Sequence, residues 1–143
     1  MKSKLLVGLL LLLGLQQDNV PEGWEAFEKI TYEWRYFEII EEELLTPVFD
    51  ESLKALEGKE ISLSGYFLPL EMDSSFILSA MPYASCFFCG GGGAETVAQI
   101  NIYPVPDYFE PDQFVKVKGK LQLNDTELDY LNLILNDVEL VKE

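Results

Sequence analysis

The chain reads as a mainly β protein: a small antiparallel barrel of the oligonucleotide/oligosaccharide-binding type, with an extra N-terminal strand and one or two short helices. Three observations lead there. From Lys59 onward, apolar and polar residues alternate at the period of a strand. Five such runs of uneven length follow one another, divided by turn-forming residues. Two of the runs carry an internal glycine, Gly65 and Gly119, where tight coiling calls for a missing side chain. A sandwich meets the same periodicities, because closure is not written in alternation.

Taken in order, Asp18 to Gly23 reads as a linker broken by Pro21 and Gly23, and Trp24 to Lys29 as a helical turn or two. Ile30 to Ile40 sets Ile30, Tyr32, Trp34 and Tyr36 against Thr31, Glu33, Arg35 and Phe37, which predicts the extra strand. The acidic Glu41-Glu42-Glu43 and Pro47 read as a connection. Asp50 suits the N-cap of a short helix through Leu56, with Leu53 and Leu56 inward and Gly58 as its stop.

Lys59 to Leu70 places Ile61, Leu63, Gly65 and Phe67 on one face of a strand, and the turn Glu71-Met72-Asp73-Ser74 joins it to Ser75–Ala80. Val97 to Tyr103 follows, then the proline-rich stretch Pro104 to Pro111. Phe114 to Leu123 alternates most cleanly, with Val115, Val117, Leu121 and Leu123 against Lys116, Lys118, Lys120 and Gln122. Asn124-Asp125-Thr126 is turn chemistry. Tyr130 to Val141 completes a hairpin whose phase changes near Asn136-Asp137, as at a bulge.

At 143 residues the chain is long enough for one domain with an ordinary core, and its 48% apolar share fits a packed globule rather than a disordered chain. Met1-Lys2-Ser3-Lys4 followed by Leu5 to Leu15 has the basic head and short apolar core of a secretory signal. The expected organisation is therefore a signal over residues 1–17 and a single barrel-like domain over 18–143, exported to the periplasm or beyond. Membrane contact is expected only if that signal stays uncleaved. Its removal takes Lys2 and Lys4 and moves the net charge from −15 to −17. So acidic a surface repels phosphate backbones and excludes nucleic acid as a partner. It suits cations, basic protein patches or simple solubility.

The chain has no histidine and two cysteines, Cys86 and Cys89, set in Ser85-Cys86-Phe87-Phe88-Cys89-Gly90-Gly91-Gly92-Gly93. No Ser-His-Asp triad, Cys-His pair or histidine-zinc hydrolase can be built. The cysteine pair has three readings. An oxidising compartment would close it as a disulfide, whose loop is too short to reach the ~3 kcal/mol that a 15-residue loop brings, so it would pin local geometry. A reactive dithiol would make the protein a periplasmic thiol-disulfide oxidoreductase. A soft-metal site, zinc or copper, would use both thiolates, with Met81, Asp73 and Glu95 as weaker candidate ligands.

The run of glycines predicts a mobile or sharply folded loop, and Glu95-Thr96 a single helical turn. Phe87 and Phe88 suit burial beside the sulfurs. Tyr83, Tyr103 and Tyr108 suit core or cross-strand positions more than a ligand face. Asn124, Asp125, Glu127 and Asp129 lack the ligand spacing of a calcium loop.

Gly58-Lys59, Ser64-Gly65-Tyr66-Phe67-Leu68-Pro69-Leu70, Phe76-Ile77-Leu78-Ser79-Ala80 with Pro82, Ser85-Cys86-Phe87-Phe88-Cys89-Gly90 and Glu95-Thr96-Val97 together resemble small exported proteins of Bacteroidetes-like bacteria. These form a domain family of unknown function, and the resemblance spans roughly residues 24 to 141. It implies an extracytoplasmic barrel that accompanies a protein partner or a transport or metal-uptake component. More distant relatives carry one cysteine followed by histidine and prolines, and that histidine has no counterpart here. The expectation is a non-enzymatic exported barrel whose Cys86/Cys89 loop binds a soft metal or serves as a structural disulfide in partner binding.

Overall fold

The computed structural model describes residues 23–70 and 74–142. The expected signal, and Asp73 with it, lie outside the described residues. Five strands close a barrel: β3 (Glu60–Leu68), β4 (Ser75–Ser79), β5 (Val97–Asn101), β6 (Phe114–Leu123) and β7 (Leu133–Val141). Their order around the barrel is β3-β4-β5-β7-β6, with β6 returning to β3. This is the small five-stranded barrel expected, here closed.

One pair departs from the antiparallel expectation. Strands β5 and β7 run parallel, Gln99 opposite Ile134 and Ile100 opposite Leu135. The cause is the connectivity: β6 crosses the barrel between them, so β7 returns in the direction of β5.

The inward residues are those of the alternation. Ile61, Leu63, Phe67, Phe76, Leu78, Ala98, Ile100, Val117, Leu121, Leu133 and Leu135 form one buried cluster. Phe27, Ile30, Phe49 and Leu53 join it from outside the strands. Phe27 ends the short turn Trp24–Phe27, and Leu53 lies in the helix α1 (Glu51–Lys54). Asp50 caps α1 as expected, accepting the Leu53 amide at 2.9 Å. The Ser52 hydroxyl also donates to that carboxylate, and the two bonds hold its pKa below the usual value. Phe109, from the connection after β5, packs its ring against Phe67 and Phe76 at 5.4 and 5.8 Å.

A Cβ at Gly65 would run into the Ser79 carbonyl oxygen on β4, so only glycine lets β3 and β4 approach as they do. The phase change in β7 is a bulge: Lys118 pairs with Glu139 but Lys120 with Asn136, leaving three steps on β7 opposite two on β6. Asp137 inside it has φ 51°, and Gly119 faces it.

The N-terminal addition is a hairpin rather than one strand. β1 (Thr31–Phe37) pairs antiparallel with β2 (Glu42–Val48), Trp34 opposite Leu45 and Tyr32 opposite Pro47. β2 was concealed by Glu42, Glu43 and Pro47, residues poor in strand propensity but tolerated on an edge. Arg35 ties the hairpin to the β6–β7 loop by donating to the Asp125 carbonyl at 3.1 Å, and Trp24 donates its indole N–H to the Ser64 carbonyl at 2.9 Å.

Candidate functional site

Strand β4 is buried on both faces. Phe76 and Leu78 point into the barrel, so something outside it must cover the alternate residues. The cover is the connection between β4 and β5, residues 80–96, which contains both cysteines.

This connection is sharply folded rather than open. It strings together three short turns, Tyr83–Ser85, Phe87–Cys89 and Ala94–Thr96. The Cys86 carbonyl accepts the amides of both Cys89 (3.1 Å) and Gly91 (3.0 Å). A Cβ at Gly91 would collide with the Ser85 carbonyl, so the second turn folds back only because that position is glycine. The Tyr83 amide fastens the segment to the connection before β6 by donating to the Asp112 carboxylate at 2.7 Å, and the Ala80 amide joins the segment's two ends by donating to the Thr96 carbonyl at 2.9 Å.

The two cysteines have opposite surroundings. Cys86 is 0% exposed and forms a second apolar cluster with Leu68, Ile77 and Val97, flanked by Leu70 and Leu131. Cys89 is exposed. Both are free thiols in this structure, close enough for a hydrogen bond between them. Local desolvation, and after it the contact with Cys86, raises the Cys89 pKa above its ordinary value. An attacking cysteine needs the reverse, a pKa brought down by nearby positive charge or by a helix N-terminus.

Of the weaker candidate ligands, Met81 lies in the same loop and Glu95 is turned away from it. Met81 lies against the glycines, its sulfur 3.2 Å from where a Cβ of Gly92 would stand. Glu95 is engaged elsewhere: its carboxylate accepts the Tyr32 hydroxyl at 2.9 Å, joining the loop to the hairpin. Burial, and then this bond, pushes the Tyr32 phenol above its usual range. Among the described residues, no three Cys, Asp or Glu side chains gather as a metal would require.

The aromatic expectations need correction. Phe87 and Phe88 stack edge to face at 5.4 Å, but both are partly exposed rather than buried. Tyr83, Tyr103 and Tyr108 are exposed as well, outside the core. Phe88 instead forms one wall of a cleft of about 270 Å³ on the outer face of the barrel. Ile77 and Gln99 line it from β4 and β5, Leu70 from the β3–β4 turn, and Leu128 to Leu131 from the β6–β7 loop.

Two features of this face escaped the sequence reading. Asn124, expected only as a turn residue, is buried and organises the whole β6–β7 loop. Its amide nitrogen donates to the carbonyls of Glu127, Tyr130 and Leu131, and its oxygen accepts the Thr126 and Glu127 amides. Side-chain amides also run in a row across β5, β7 and β6. Gln99 donates to Asn101 at 3.0 Å, Asn101 to Asn136 at 2.8 Å, and Asn136 to Gln122 at 2.9 Å. The outward alternation of amides in three strands was the available signal.

Comparison with known proteins adds little to this picture. The chain is similar to the crystal structure of a DUF3299 family protein from Pseudomonas aeruginosa PAO1, with 19% sequence identity and a TM-score of 0.49. The match covers 69% of this chain and 68% of that one. No family model matches the sequence, and no curated protein matches it.

Proposed function

We propose that the protein is a non-enzymatic, exported binding domain in which Cys86 and Cys89 close as a structural disulfide. The bridge fixes the 80–96 connection against β4 and so positions Phe88 as a wall of the outer cleft. One observation carries this reading: Cys86 is wholly buried among Leu68, Ile77 and Val97, so half of the pair is packing material. Closure removes two protons and two electrons from the thiols, and a disulfide oxidant of the exported compartment accepts them. Export itself rests on the basic-then-apolar start of the chain and on the motif shared with exported proteins of Bacteroidetes-like bacteria.

A second reading keeps a soft metal at the same place. The contact between the two sulfurs, with the Met81 thioether in the same loop, favours cuprous copper over zinc, which wants four ligands.

One set of measurements separates these readings. Protein isolated anaerobically from the exported compartment is assayed for metal, for free thiols with and without denaturant, and for reduction potential. The disulfide reading expects no retained metal, no free thiol, and a potential below about −300 mV. Copper retained in proportion to protein and lost in Cys86→Ser would establish the metal instead. A potential near that of the oxidising exchange proteins, about −120 to −180 mV, with fast turnover of a disulfide substrate, would make the protein an oxidoreductase.

A further inference from the structure

The β1–β2 hairpin holds large apolar side chains away from the molecule. Trp34 is 69% exposed, and Leu45, its partner in register, is exposed beside it. Tyr36 follows two residues along β1 on the same face and is also exposed. At the turn Ile39 is 88% exposed and Ile40 is exposed beside it. Exposed apolar groups set this closely mark a contact surface rather than chance scatter. Tryptophan and tyrosine are also the residue types that dominate interface energies.

We propose that this hairpin docks onto a polypeptide partner whose surface is apolar at its centre and basic at its rim. The charge around the patch selects that chemistry. Within residues 31–48 the acids are Glu33, Glu38, Glu41, Glu42 and Glu43, and the sole cation, Arg35, is turned onto Asp125 and Glu33. A chain of net charge −15 with this rim repels anionic lipid headgroups and repels its own copies. A basic rim gains from the same charges. The hairpin is tied near its base by Tyr32 on Glu95 and nearer its turn by Arg35 on Asp125, so the surface between them is presented with little to order on docking. In this sheet, β1 and β2 pair with no third strand among the described residues, which leaves edges for a partner strand as well.

The test uses the full chain and three probes: a short peptide alternating leucine with lysine, the same peptide with glutamate for lysine, and phosphatidylglycerol-containing vesicles. Tryptophan emission and calorimetry report binding. The lysine peptide should bind and shift the emission to the blue, with affinity falling as salt rises. Trp34→Ala should weaken that binding at least tenfold while the unfolding midpoint holds. Glu42→Lys combined with Glu43→Lys should weaken it without touching the apolar face, which keeps the test alive should Trp34→Ala misfold. Four results would each overturn the proposal: equal binding of the glutamate peptide, binding to the vesicles, binding of neither peptide, or a concentration-dependent dimer abolished by Trp34→Ala.

Discussion

Two segments leave the barrel carrying apolar side chains, and they dispose of them in opposite ways. The 80–96 connection turns Cys86 inward onto Leu68, Ile77 and Val97 and is pinned by Asp112. The β1–β2 hairpin turns Trp34, Tyr36 and Leu45 outward and is tied down through Tyr32 and Arg35. Both are rich in aromatic residues, so composition does not separate them. The local backbone does. Short turns and a glycine at position 91 let one segment fold back onto the barrel, whereas the extended hairpin runs on past it, so the face that seats Tyr32 on Glu95 carries Trp34 and Tyr36 out into water. The first segment builds the molecule, and the second offers itself to another.

Changes that attack the first segment should therefore cost stability, and changes to the second should not. The largest loss is expected from Ile77→Ala, which empties the outer cluster beneath Cys86: about 3 kcal/mol in denaturant unfolding. Gly91→Ala, forced against the Ser85 carbonyl, should cost about 2 kcal/mol and, in reduced protein, raise the rate at which Cys86 is alkylated, since the cover lifts. Trp34→Ala should change stability by less than about 0.5 kcal/mol; a loss like that of Ile77→Ala would erase the contrast between the segments.

The smallest effect is a matter of pH. The Tyr32 phenol has its pKa raised in the folded state, so what it contributes is fully present below the unfolded value of about 10 and fades as pH climbs through the folded one. Tyr32→Phe should flatten that alkaline limb of the stability curve. Asp50 has its pKa lowered, so its contribution is present above about pH 4 and is lost on acidification; Asp50→Asn should soften the acid limb.

The barrel was legible because each of its strands buries one alternating set of residues, and alternation survives in sequence. The cap at Asp50 and the bulge at Asn136-Asp137 were legible for the same reason, since each breaks a local period or starts one. β2 was not, because an edge strand in a two-stranded sheet needs neither β-branched residues nor a free amide at Pro47. The parallel β5–β7 pair depends on the path of the chain, which no window of residues records. At the candidate site, the cysteine spacing singled out the β4–β5 connection, yet which sulfur is buried follows from how that connection docks on Ile77. Phe88 and Leu128 meet across the cleft from segments some forty positions apart, beyond the reach of any local pattern.

The role of Asn124 has a consequence for that cleft. Its side chain laces the 124–131 segment together from within, through amides that no reductant or chelator touches. The facing side, ending at Phe88, is held by the Tyr83 amide on Asp112 and by Cys86 packed on Leu68, Ile77 and Val97. The groove thus has one jamb laced from within by a single amide and one seated on apolar packing, and loosening that seat would swing a single side.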